Sequence, residues 1–181
     1  MTTKTALLAA VIASALAGAG EAPVPQPVQE TLGAARFSGP AGWESEKSGT
    51  AADPGVRFSR GLDVIKVRLL GGKGSRYAGP DAFLKGFEAT TMGKAPERVR
   101  QVKAGGRKVW VYRHGYPVDL GDPSAPPAGA PALASEEFCV IPLGGKFFVL
   151  SFAHESPIPD PEAAGEKAWA ALLASFSLKA K

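Results

Sequence analysis

His114 and His154 are the only imidazoles in the chain and stand forty residues apart, so general-base or metal chemistry at neutral pH would have to use one or both of them. Each falls near the end of a strand-like run. Adjacent strands could bring them together, with Asp119 or Glu155 adding a carboxylate; the plainer reading is two isolated surface histidines. No G-x-S-x-G surrounds a serine and no H-E-x-x-H occurs, so a hydrolase would lack its recognisable nucleophile, base and orienting group. Cys139 is the single cysteine, which excludes Cys-pair metal sites and an intramolecular disulfide. It lies in the apolar run Phe138-Cys139-Val140-Ile141 and reads as a buried, inert thiol. Gly71-Gly72-Lys73-Gly74-Ser75-Arg76 invites comparison with a phosphate-cradling loop, but Gly74 follows Lys73 where the P-loop needs Ser or Thr. Lys73 and Arg76 could still hold a simple anion. These observations predict no metal and no cofactor.

Charge is the feature that stands out. Lysine and arginine exceed aspartate and glutamate by four overall, yet residues 57–113 hold 14 basic and 4 acidic groups, and the flanks are acidic. Within residues 94–113, Lys94, Arg98, Arg100, Lys103, Arg107, Lys108 and Arg113 face only Glu97. If their side chains converge, they form a surface for an anionic envelope component, such as lipid heads or polysaccharide, or for an acidic protein. If they do not, they are solvated strand edges that deter aggregation, or partners of Glu44, Glu46, Glu136 and Glu137. Few aromatics are interleaved, which speaks against nucleic acid.

The first nineteen residues give an address. Lys4 supplies a positive start, Ala6–Ala17 an apolar run of twelve, and Ala17-Gly18-Ala19 the small residues of a cleavage site. The run is shorter than the roughly 20 apolar residues a membrane-spanning helix requires, so residues 1–19 read as a cleaved export signal. The mature chain is then expected to be periplasmic or secreted, soluble, and free of a transmembrane segment. Residues 20–34, with Pro23, Pro25 and Pro27, read as a proline-rich tether. Residues 35–179 read as one domain.

Within that domain the patterns alternate between strand and helix. Residues 43–60 look like a hairpin about Asp53-Pro54-Gly55, with Glu44 and Glu46 on the same face as Arg57 and Ser59. Residues 64–70 form a third strand, and a helix begins at Pro80 and ends at Gly93. Residues 97–104 and 107–116 are two further strands, with Val109 and Val111 facing one way and Trp110, Tyr112 and His114 the other. Residues 117–135 are a Pro/Ala/Gly stretch without periodicity and read as a long mobile loop. Residues 136–143 and 146–154 pair about Gly144-Gly145. A last helix, capped by Asp160 with Pro161 in its first turn, presents Trp169, Leu172, Leu173 and Phe176 at core spacing. The sum is an α+β domain, one antiparallel sheet with two segregated helices.

Two short motifs add a resemblance. Phe37-Ser38-Gly39-Pro40-Ala41-Gly42-Trp43 resembles the F-x-x-P-x-G-W opening of the PsbP-like superfamily, which includes periplasmic DcrB-type proteins. Leu172-Leu173-Ala174-Ser175-Phe176-Ser177-Leu178 is similar to their closing helix, which runs through a Ser-Phe pair into a short strand. The resemblance implies an α-β-α sandwich used for binding or assembly, with no catalytic residues to carry over. The expectation is an exported, non-enzymatic binding domain. The alternative is a small secreted enzyme using His114 or His154.

Overall fold

The computed structural model describes residues 25–90, 94–117, 133–156 and 158–179. In chain order the elements are β1 (Val28–Leu32), β2 (Ala35–Gly39), β3 (Glu44–Gly49), β4 (Pro54–Arg60), β5 (Asp63–Leu70), α1 (Pro80–Thr90), β6 (Glu97–Ala104), β7 (Arg107–Pro117), β8 (Leu133–Leu143), β9 (Lys146–His154), α2 (Ala164–Ser175) and β10 (Ser177–Leu178). Seven strands form one antiparallel sheet in the order β3-β4-β5-β9-β8-β7-β6. β9 and its neighbour β5 lie at its centre. β9 is buried along nearly its whole length, as a strand covered from both sides must be, whereas β5 is apolar towards one face and carries Lys66 and Arg68 on the other.

The period of two decides which helix each side chain meets. Ile65, Val67, Val111, Cys139, Leu150 and Phe152 face α2, where they close around Trp169, Leu172, Leu173 and Phe176. Leu70, Phe138, Phe147 and Val149 face α1 and meet its Phe83. Phe83 sets its edge against Phe138 and Phe87 stacks on Phe138 with rings nearly parallel. The fold is therefore α+β, with one helix on each face of the large sheet. Burial raises the Cys139 thiol to about 12, which keeps it protonated and unreactive at neutral pH.

Three expectations need correction. The stretch 20–34 is not wholly a tether, because Val28–Leu32 pairs along its length with Ala35–Gly39. Gly33, at φ 57°, permits the tight reversal between them, and Leu32 packs on the core. β10 joins the other side of β2, so a three-stranded sheet accompanies the large one. The segment 117–135 is likewise shorter as a loop than its composition suggests. Ladder pairs Tyr116 with Ala134 and Pro117 with Leu133 carry β7 and β8 into it, and buried Ala134 rewards the extension; residues 118–132 lie outside the described residues. Finally, Pro161 does not open α2. Asp160 to Ala163 form a turn, with Asp160 Oδ2 accepting from the Ala164 N–H at 2.9 Å and Ala163 held at φ 48°, so the helix begins at Ala164. Residues 1–19 and Gly93 also lie outside the described residues.

Candidate functional site

The hairpin β6–β7 carries six of the seven basic residues singled out above, and its register divides them between the two faces. Arg98 pairs with Tyr112, but Arg100 pairs with Val111, so Val99 is an extra residue in a bulge. A regular strand would place Arg98 and Arg100 on one face; the bulge separates them. Arg100 turns to the α2 face and forms a two-pronged contact with Glu137 at 2.8 and 2.6 Å. Arg113 donates to the same carboxylate at 2.8 Å. Burial alone would raise the Glu137 carboxyl, but the hydrogen bonds from Arg100 and Arg113 outweigh it and hold the group below the usual range. Arg107 donates to the Pro142 carbonyl. These three residues are thus engaged, and Lys94 stands exposed just before β6.

Arg98, Lys103 and Lys108 keep to the α1 face. Lys103 and Lys108 are direct cross-strand partners, a like-charge pairing that costs free energy. Arg98 lies over both the Trp110 and Tyr112 rings, at 5.6 and 5.9 Å. Trp110 remains 38% exposed. Along β6 and β7 Glu97 is the only carboxylate, and its pairing with Arg113 places it on the opposite face. Among the described residues the three have no ion pair and form a basic patch around an aromatic ring.

The histidines are not brought together. β8 lies between their strands, and the register sends His114 to the α1 face and His154 to the α2 face. Each instead finds a carboxylate that sequence reading did not assign to it. His154 Nδ1 lies 2.7 Å from Asp63 Oδ1 and Nε2 lies 2.9 Å from the Ile158 carbonyl. Both partners only accept, so the protonated ring alone satisfies both contacts. The Asp63 hydrogen bond accordingly raises the His154 pKa. His114 Nε2 lies 2.9 Å from Glu136 Oε2, while its Nδ1 is buried without a partner. Ser151 also donates to Glu136. The carboxylate thus stands between serine and histidine, the wrong order for a histidine to deprotonate the hydroxyl. Among the described residues no three His, Cys, Asp or Glu side chains converge to hold a metal.

Beside Glu136 the α1 face opens into a cleft of about 240 Å³, bounded by β5, the segment 71–79 and α1. Lys66 and Arg68 reach it because alternation along β5 points both to this face. Arg76 and Tyr77 come from the preceding loop, and Phe83, Gly86 and Phe87 from the helix. Lys73, the other loop cation suggested by the sequence, is exposed and does not line it. Sequence reading missed Lys66 and Arg68; their spacing of two within Val64-Ile65-Lys66-Val67-Arg68 was the available signal. Burial pushes the Glu136 carboxyl up, but hydrogen bonds from His114 and Ser151, aided by the field of Arg68, win and lower it.

No family model matches the chain, and no curated protein matches it. Among solved structures it is similar to a Bacteroides thetaiotaomicron protein, with a TM-score of 0.46 and 11% identity over 82% of this chain and 46% of that one. The chain thus spans under half the length of that protein. It is also similar to a point mutant of the protein Mog1, with a TM-score of 0.48 and 13% identity over 85% and 95% of the two chains. A third similar structure is LpqN, described as involved in cell envelope biogenesis of Mycobacterium tuberculosis, with a TM-score of 0.47 and 15% identity over 86% and 90%. At these identities and scores none of them fixes a function for this chain.

Proposed function

We propose that the chain is an exported, PsbP-like, non-enzymatic binding domain that holds an anionic envelope component or acidic protein against the α1 face of β6–β7. One observation carries this reading: Lys103 and Lys108 are paired directly across the ladder, beside Arg98 and the exposed Trp110, with Glu97, the one carboxylate of the two strands, on the other face. Like charges so placed repel each other until an anion lies between them. Arg100 and Arg113, already neutralised by Glu137, contribute through the fold and not through contact. An envelope partner follows from the export signal expected of residues 1–19.

The test is retention of the protein on anionic vesicles and on an acidic envelope fraction, as a function of salt. Reversing Arg98, Lys103 and Lys108 to Glu should abolish retention. Reversing Lys47, Lys146 and Lys179, which matches the change in total charge, should leave most of it. Binding should weaken steeply as the Debye length falls below about 8 Å. Salt-independent retention, or equal losses from the two triple variants, would overturn the proposal.

A further inference from the structure

The cleft beneath α1 has a composition that the macromolecular reading does not use. Lys66, Arg68 and Arg76 face one carboxylate, Glu136, and that carboxylate already accepts from His114 and Ser151. Three cations against one anion leave two positive charges in excess. Both guanidinium groups are held over rings, Arg68 at 5.6 Å from the Phe83 centroid and Arg76 at 5.5 Å from that of Tyr77. Stacking fixes the plane of a guanidinium and so aims its N–H groups before any ligand arrives. Arg68 Nε is buried and has no acceptor. A buried donor in that state costs free energy that an incoming oxyanion recovers.

The rest of the lining is aromatic. Gly86 stands where a Cβ would come within 3.3 Å of the Tyr77 ring, so its lack of a side chain keeps the helix wall close to Tyr77 and the cleft open between them. At about 240 Å³ the space falls just below the roughly 300–1,000 Å³ of pockets for drug-sized ligands, which suits a small molecule and not a folded partner. We infer that this cleft binds a small soluble phosphate monoester carrying a compact apolar or aromatic body. The dianion meets Lys66, Arg68 and Arg76, and the body lies against Tyr77, Phe83 and Phe87. This inference does not rest on the β6–β7 patch.

Calorimetric titration with phenyl phosphate, inorganic phosphate and benzyl alcohol tests it. Phenyl phosphate should bind at least about tenfold more tightly than inorganic phosphate, and benzyl alcohol should not bind measurably, since charge-assisted contacts supply the anchor. Arg68→Gln should weaken phenyl phosphate about tenfold or more. Because Arg68 also packs in the fold, the rim variant Arg76→Gln, with thermal unfolding as a check, should also weaken it severalfold. The triple reversal of Arg98, Lys103 and Lys108 should leave it within twofold. Absence of phenyl phosphate binding, or equal loss from the distant triple variant, would overturn the inference. So would retention on phosphatidic acid vesicles that requires Arg68 while phenyl phosphate fails to bind, because the source would then be a lipid headgroup.

Discussion

Gly165, the second residue of α2, lies directly against the carboxylate of Asp63 on β5: a Cβ at Gly165 would sit 2.7 Å from each of Cγ, Oδ1 and Oδ2. Asp63 is only 7% exposed, and its position at the start of α2 sets a negative charge against the positive end of the helix. Gly165→Ala should therefore destabilise the domain by about 1–3 kcal/mol through overpacking, despite alanine's better helix propensity. Urea unfolding measures this; a stabilised variant would show that the helix shifts without cost.

The same carboxylate makes His154 a reporter. With its pKa raised above 6.5 by Asp63, the histidine's contribution is fully present below its unfolded pKa and is lost as pH rises through the folded value. NMR titration should place His154 above 6.5, and Asp63→Asn should bring it down. The stability difference between the native chain and His154→Gln should be largest in mild acid and shrink toward alkaline pH. A difference that grows with pH would contradict the geometry.

Trp169 is 1% exposed, and its indole Nε1 has no hydrogen-bond partner. Trp169→Ala should cost about 3–5 kcal/mol. Trp169→Phe should cost much less, because it loses volume but also removes an unsatisfied N–H. Comparable losses for the two variants in urea unfolding would mean that the indole nitrogen is satisfied in solution.

Glu137 neutralises two arginines that are themselves about half exposed, 46% for Arg100 and 48% for Arg113. Solvent screening limits such pairs to about 1 kcal/mol or less each. Glu137→Gln should destabilise the fold by about 1–2 kcal/mol in low salt, with the difference narrowing at high salt. It should leave retention on anionic vesicles near the native level, since Arg100 and Arg113 lie on the α2 face, opposite Arg98, Lys103 and Lys108. A large rise in retention would bring the α2 face into the contact surface.

The elements were legible where one physical signal dominated. Alternation marked β4, β5 and β7, Pro80 marked the start of α1, and Glu46 opposite Arg57 followed from the hairpin, where the two now form an ion pair at 3.1 Å. What escaped reading depended on relations between distant segments. β1 is polar and mostly exposed, so only its ladder with β2 identifies it. The separation of His114 from His154 is set by strand order, which no local pattern encodes, and the partners Glu136 and Asp63 follow from that order. The cleft is half legible: Arg76 could be suspected, whereas Lys66 and Arg68 acquire their meaning only when α1 crosses above them.

The extra residue at Val99 has a consequence for how this chain tolerates changes of length. A chain lacking Val99 would keep Arg98 opposite Tyr112 and Glu97 opposite Arg113, because β7 already advances by a single residue between the partners of Arg98 and Arg100. Straightening the bulge at full length would instead set Val99 against Tyr112 and Arg98 against Arg113, and turn over every position before it. Arg98 would then leave the aromatic rings for the side occupied by Glu137, while Lys103 and Lys108 stayed in place. The hairpin thus tolerates the loss of this one residue, but with the residue present it must be held out of the ladder for the positive patch to keep a third of its charge.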